Sequence, residues 1–145
     1  MAVRRFEKSD KTQVATLLTM FGKEYDSPYK VRRKDVKALF DHVYEIGVGF
    51  ISLREGRPVG IIGGVLHPNV FNSEVMMLSE YFWYVVPEHR NGRAGAELLL
   101  AYEKAGREEA DVLCMTLLDT TRGIEDNLIK RGYVMKERTF AKWLP

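Results

Sequence analysis

The sequence predicts a single α/β domain over residues 1–145, a mixed sheet with helices on both faces, and three observations carry this. Stretches of buried-strand character alternate with amphipathic helical stretches, the order that lays helices over a sheet. The longest such unit, residues 80–109, runs strand, tight turn and helix without interruption. A chain of 145 residues with 46% hydrophobic and 29% charged residues should bury roughly two thirds of its unfolded surface around one core.

Taken in order, residues 2–6 read as a short strand. Asp10 with Gln13 resembles a capping box, and Val14, Leu17, Leu18 and Phe21 then recur at helical spacing up to about Tyr25. Asp26, Ser27, Pro28 and Tyr29 form a turn, and Val36, Leu39, Phe40 and Val43 are the apolar stripe of a second helix. Residues 47–54 and 58–66 are strands joined through Glu55-Gly56-Arg57, a hairpin connection. Gly60, Gly63 and Gly64 inside the second strand mark a bulge or a close backbone approach.

A loop over residues 67–73 leads into a long strand over 74–86, closed by Pro87, which has no N–H for a ladder. A helix starts near Arg93 with Gly95, Leu98, Leu99, Tyr102 and Ala105 on one stripe and Glu97, Glu103, Lys104 and Arg107 off it. Residues 112–118 predict a fifth strand, and a short helix at about 124–130 ends with Gly132 at C′. Residues 133–135 and 139–144 are expected to complete the sheet, for the order β-α-α-β-β-β-α-β-α-β-β.

Composition excludes several classes. No apolar run approaches the ~20 residues of a membrane span, and the N-terminal stretch lacks the apolar core of a secretory signal. The single cysteine, Cys114, forbids an intrachain disulfide, fits a cytoplasmic setting and reads as a core residue. A net charge of +2 is too mild to argue for nucleic acid. Lys30, Arg32, Arg33, Lys34 and Lys37 make a local basic cluster, read as a solvated face. No metal site is expected.

Strand, short turn and helix N-terminus make an anion site. The first helical N–H groups have no intrahelical partner, and the macrodipole adds about half a positive charge there. Arg90 and Arg93 add two full charges, so a diphosphate suits the turn.

The same stretch, V-V-P-E-H-R-N-G-R-A-G-A-E-L-L at residues 85–99, resembles motif A of the GCN5-related N-acetyltransferases (GNAT). There a strand ending in V-x-P-E-x-R runs into R/Q-x-x-G-x-G/A and an L-L helix. With Arg90 leading, Gly95 takes the second glycine position and Arg93 the first, where a side chain is tolerated if it is helical and points outward. A register from His89 would place Gly92 and Ala94 on the small positions but lose the leading arginine and the spacing from Pro87. K-R-G-Y at residues 130–133 is similar to the family's G-F or G-Y.

The resemblance implies a GNAT-like domain over 1–145 that moves an acetyl group from acetyl-coenzyme A, its co-substrate, to a primary amine. It implies cofactor contacts from Val85, Val86, Arg90, Asn91, Gly92, Arg93, Ala94, Gly95 and Ala96, with backbone groups near Tyr84, Val85 and Val86 polarising the thioester where the fourth and fifth strands splay. Glu80 is the base candidate. Strand parity puts it on one face with Phe82 and Tyr84, and desolvation among aromatics would raise its pKa. His67 and Glu74 are lesser candidates.

The family's tyrosine acid is replaced by Leu128, leaving Tyr84 and Tyr133 as substitutes, and the family's asparagine is missing near Thr120 or Thr121. The acceptor, a small-molecule or protein amine, is placed against Tyr25, Asp26, Tyr29 and Tyr44. The alternative is a catalytically silent coenzyme A-binding or protein-interaction module on the same fold. A homodimer is left open.

Overall fold

The computed structural model describes residues 2–118 and 122–145. Five strands lie in the sheet in sequence order: β1 (Ala2–Arg5), β2 (Gly47–Arg54), β3 (Arg57–Asn69), β4 (Asn72–Val85) and β5 (Val112–Cys114). The first four pair antiparallel, and β5 joins β4 in parallel. Helices α1 (Lys11–Glu24) and α2 (Arg33–Ile46) precede the β2–β4 meander, α3 (Ala94–Glu109) crosses from β4 to β5, and α4 (Arg122–Lys130) follows.

Each face of the sheet carries its own core, as the alternation of helices and strands predicts. Val14, Leu17 and Leu18 of α1 and Phe40 and Val43 of α2 pack with Ile51, Ile61, Phe82 and Tyr84 on one face. Leu98, Leu99 and Tyr102 of α3 and Leu128 of α4 pack with Val48, Ile62 and Leu78 on the other.

Two turns follow the sequence reading closely. Glu55 (φ 51) and Gly56 (φ 75) both take positive φ, the two-residue hairpin turn whose twist matches its strands. Gly132 (φ 96) ends α4. Its N–H bonds Ile129 O at 3.0 Å and the Tyr133 N–H bonds Leu128 O at 3.1 Å, the pair of a Schellman stop.

The glycines of β3 make the feature that matters most for the site. The β3–β4 register slips between Gly63, opposite Phe82, and Gly64, opposite Glu80, leaving Tyr81 as the extra residue of a bulge. A Cβ on Gly64 would stand 2.4 Å from the Ser79 carbonyl oxygen, so this backbone approach requires glycine.

Elsewhere the structure departs from the sequence expectation. The fifth strand stops at Cys114 rather than 118, because the Thr116 N–H donates to Glu80 Oε2 at 3.1 Å. No strand forms over 133–135 or 139–144. Val134 (76% exposed), Phe140 (88%) and Leu144 (75%) have no covered face, and strand propensity without a pairing partner makes no sheet. Asp10 does not cap with Gln13. Its carboxylate turns back to Arg4 (2.8 and 2.9 Å) and to the Glu7 N–H (2.7 Å). Glu103, expected off the buried stripe, is buried. It ties α3 to the segment after α4, accepting from Arg131 and, at 3.1 Å, from the Tyr133 hydroxyl.

Candidate active site

The site grows from a mismatch in strand length. The β4–β5 ladder ends at Ser79 opposite Cys114, yet β4 continues to Val85, so among the described residues six residues of β4 run on with no strand paired on that side. A strand in this position presents alternate N–H and C=O groups to the gap. The Val86 N–H donates to Val59 O at 2.9 Å and therefore points to β3; the N–H groups of Val85 and Trp83, of opposite parity, face the gap. Val86 was expected to lend backbone groups to the ligand, and here they are spent: its carbonyl also accepts from the His89 N–H at 2.9 Å.

The gap leads to the start of α3. Pro87–His89 form a 3-10 turn, and the chain reaches α3 through Asn91 and Gly92, which form an exposed turn. Arg93 precedes the helix with φ −98 and ψ −9, helical dihedrals that aim its side chain outward, where it is 88% exposed. The first bond of the new helix runs from Glu97 N–H to Arg93 O at 2.9 Å, so the N–H groups of Ala94, Gly95 and Ala96 lie ahead of the intrahelical ladder. A Cβ on Gly95 would come no closer than 3.7 Å to Val85 and 3.9 Å to Trp83. Packing does not require glycine there, which leaves the space beside the helix end for something other than the sheet.

Arg90 is placed differently from Arg93. Its Nε donates to Val85 O at 2.8 Å, its Nη2 meets both oxygens of Glu24 at 2.8 and 2.7 Å, and its guanidinium lies 5.3 Å from the Tyr84 ring centroid. The side chain thus fastens the end of α1 to the end of β4. Sequence reading paired Arg90 with Arg93 as phosphate charges; the structure does not bring the two guanidiniums to one task.

Glu80 is buried, and burial pushes its carboxyl up to about 7 against the counteracting hydrogen bond from the Thr116 N–H. It does not share a face with Phe82 and Tyr84 as parity implied. The bulge at Tyr81 reverses the alternation: Phe82 and Tyr84 pack with α1 and α2, while Leu78 packs under α3 and Glu80 interacts with Tyr102 of α3. A carboxyl near neutrality therefore stands where β4 and β5 part company.

The Tyr102 hydroxyl is fully buried, with no hydrogen-bond partner among the described residues. Its pKa is driven up by burial first and then by Glu80. Tyr84 is also raised, by burial and then Glu24, and sits in the α1–α2 core. Tyr133 donates to Glu103, and Leu128 is a core residue, so neither supplies a free hydroxyl at the family's acid position. The expected asparagine position, Thr120 or Thr121, lies outside the described residues.

Between strands β3 and β4 lies one further pair that the sequence does not reveal. His67 Nδ1 lies 3.0 Å from the Pro68 carbonyl, which can only accept, so that nitrogen carries the proton. Nε2 lies 2.6 Å from the Ser79 hydroxyl oxygen, within hydrogen-bond distance. The residues lie 12 apart on neighbouring strands, and only the register shows the contact. Glu74 is an exposed residue near the start of β4.

Beside the end of α1, a cleft of about 330 Å³ is lined by Gly22, Lys23, Tyr25, Ser27, Tyr29 and Lys30 among others. It holds both tyrosines named for the acceptor wall. Tyr44 instead stacks on Phe40, 5.9 Å between centroids. The Glu24–Arg90 pair and the Phe21–Tyr84 contact (5.8 Å) set this cleft next to the C-terminal end of β4.

A mixed sheet whose parallel pair opens beside a helix N-terminus defines an α/β protein with its sheet split between β4 and β5. The family model for the acetyltransferase (GNAT) family matches residues 14–129, and the chain belongs to that family. No curated protein matches the sequence. Among solved structures, a probable acetyltransferase aligns over 100% of this chain and 97% of its own, with a TM-score of 0.78 at 14% identity. Ribosomal-protein-alanine N-acetyltransferase from Brucella melitensis biovar Abortus 2308 follows at 0.77 and 11%, covering 99% and 98%. An aminoglycoside acetyltransferase from an uncultured soil metagenomic sample gives 0.72 and 16%, covering 99% and 98%. At these identities the neighbours show a shared fold.

Proposed function

We propose that this chain transfers an acetyl group from acetyl-coenzyme A to a primary amine in a cytoplasmic setting. The observation that carries the reading is the slot itself. Six residues of β4 outrun β5 and point the Trp83 and Val85 N–H groups toward the gap, which opens onto the free N–H groups of Ala94, Gly95 and Ala96. Acetyl-coenzyme A, when bound, supplies an activated acyl thioester.

The residues present fit such a ligand. The α3 N-terminus and Arg93 offer partial and full positive charge to a diphosphate, with Asn91 and Gly92 shaping the turn. The amides of β4 offer hydrogen bonds to an extended polar chain and to a carbonyl oxygen on which negative charge develops. Arg90, through Val85 O and Glu24, positions the end of β4.

Glu80 is the base of this reading. A carboxyl that ionises at about 7 can accept a proton from an ammonium at neutral pH, the match that makes general base catalysis efficient. The leaving thiol has an ordinary pKa of about 8.5, so a thiolate can depart without a dedicated acid. The acceptor enters from the cleft of Tyr25 and Tyr29, whose rings suit the aliphatic part of an amine.

A second reading rests on one observation: Leu128 is buried and the Tyr133 hydroxyl is bound to Glu103, so no tyrosine serves as acid where the family keeps one. On that reading the chain binds coenzyme A without chemistry. Thiol release from acetyl-coenzyme A across a panel of polyamines, amino acids, aminoglycosides and peptides separates the two. Turnover with any acceptor, of the order of 1 per second, supports transfer. Tight binding with no release across the panel supports the silent module.

A further inference from the structure

Two lysines at the acceptor cleft are left without a counter-charge. Lys23, near the end of α1, and Lys30, in the loop before α2, both line it. Neither has a carboxylate or hydrogen-bond partner among the described residues. The arginines that follow in the same basic run are committed elsewhere. Arg32 pairs with Asp35, and Arg33 donates to Thr12 O and to Thr16 Oγ1, each at 3.3 Å.

Among the described residues no carboxylate lines the cleft to balance these charges. Glu24 follows Lys23 in sequence, but Arg90 holds both of its oxygens. Asp26, expected at the acceptor wall, is exposed and stands outside the lining. The lining that remains is cationic and aromatic, with the Ser27 hydroxyl turned back to accept from the Tyr29 N–H at 3.2 Å.

The loop that carries Lys30 is set firmly beside α1. A Cβ on Gly22 would collide with Val31 Cγ2, so glycine is what lets the loop close onto the helix. Trp143 braces Tyr29 edge-on, 5.7 Å between centroids. A cationic tail placed here meets like charge, whereas an anionic one gains charge-assisted hydrogen bonds.

We propose that this cleft takes, as acceptor, a small amine that carries an anionic group, a carboxylate or a phosphate. Lys23 and Lys30 hold the anion and repel the amine end, which turns toward β4. The inference rests on the acetyl-transfer reading for the role of the cleft and selects among the acceptors that the fold alone leaves open. At about 330 Å³ the cleft is near the small end of ligand pockets, which run ~300–1,000 Å³. Two unbalanced ammonium groups also act against polyamines and aminoglycosides, discrimination by repulsion as well as by attraction.

The test uses amines that differ only in the tail. β-Alanine, propylamine and propane-1,3-diamine form one set; 6-aminohexanoate, hexylamine and hexane-1,6-diamine form a second. O-phosphoethanolamine against ethanolamine separates a phosphate from a carboxylate. Binding is read from the backbone amide shifts of Lys23, Tyr25, Tyr29 and Lys30 in labelled protein saturated with coenzyme A, which needs no chemistry. An anionic tail should bind roughly tenfold or more tightly than its neutral partner, and the diamines should bind most weakly. Lys23→Gln and Lys30→Gln should each shrink that ratio, as should sodium chloride at about 0.5 M.

Thiol release from acetyl-coenzyme A should rank the same amines in the same order of kcat/KM. Anionic preference in binding without thiol release supports the cleft assignment and defeats the transfer reading. Thiol release that favours the diamines leaves transfer standing and overturns the inference. Equal binding of all tails, a ranking untouched by both lysine variants, or no shift with any of these amines overturns it too.

Discussion

Replacing Glu80 by glutamine tests the environment that makes this residue a base. The folded protein holds the Glu80 carboxyl at about 7, against 4.5 for the free group, because burial disfavours the anion more than the Thr116 N–H favours it. Raised pKa means that the folded state binds the proton more tightly than the unfolded chain does. Stability from this group is therefore fully present below 4.5 and is lost as pH rises to about 7. Above that both states are ionised and the full cost stands. At ~1.36 kcal/mol per pH unit the cost is about 3 kcal/mol.

Glutamine keeps an oxygen for the Thr116 N–H and carries no charge. Glu80→Gln should then match wild type near pH 4.5 and exceed it at pH 8 by about 3 kcal/mol, roughly 6–12 °C in melting temperature for a chain of this size. Thermal unfolding across this pH range reads the difference directly. The same variant should lose roughly 10²–10⁴ in kcat/KM if Glu80 is the base, and the wild-type profile should rise through an apparent pKa near 7. A melting difference that is flat with pH would refute the reasoning, because the carboxyl would then be solvated in the folded protein.

Other perturbations follow from the same geometry. Tyr102→Phe removes a buried hydroxyl that has no partner among the described residues and should raise stability by about 1 kcal/mol in urea unfolding; a loss would mean that the hydroxyl is bonded. Arg93→Ala should weaken coenzyme A by roughly 1.5–3 kcal/mol in calorimetric titration while leaving pantetheine, which lacks the diphosphate, unaffected. Arg90→Ala should weaken both ligands alike, since it acts through Val85 and Glu24; equal effects of the two arginines would erase this distinction. Gly95→Ala should fold as well as wild type, because its Cβ meets only ordinary contacts, whereas Gly95→Glu should abolish coenzyme A binding.

Much of this molecule was legible in its residues, and the failures have local causes. The hairpin at Glu55-Gly56, the Gly132 stop, both helical stripes of the α1–α2 pair and the helix beginning after Arg93 are set by short-range turn chemistry and periodicity. Gly63 and Gly64 signal a bulge, but not which residue of the partner strand is the extra one. One extra residue at Tyr81 moves the carboxyl to the α3 face, and parity counted through the bulge gives the wrong side. Arg90 looked like Arg93 in sequence, yet its partner Glu24 lies 66 residues away, and only tertiary packing brings them together. The His67–Ser79 contact and the burial of Glu103 are equally non-local. Residues 133–144 have the composition of strands, and composition does not say whether a neighbour is present to pair with them.

The most direct test of the central claim is a map of backbone amide chemical shifts as acetyl-coenzyme A is titrated into the labelled protein. The account predicts that the largest changes fall on Trp83 and Val85 of β4 and on Ala94, Gly95 and Ala96 at the start of α3, with Val86, whose N–H is held by Val59, changing least among its neighbours. Shifts confined to other surfaces, or none at millimolar ligand, would contradict it.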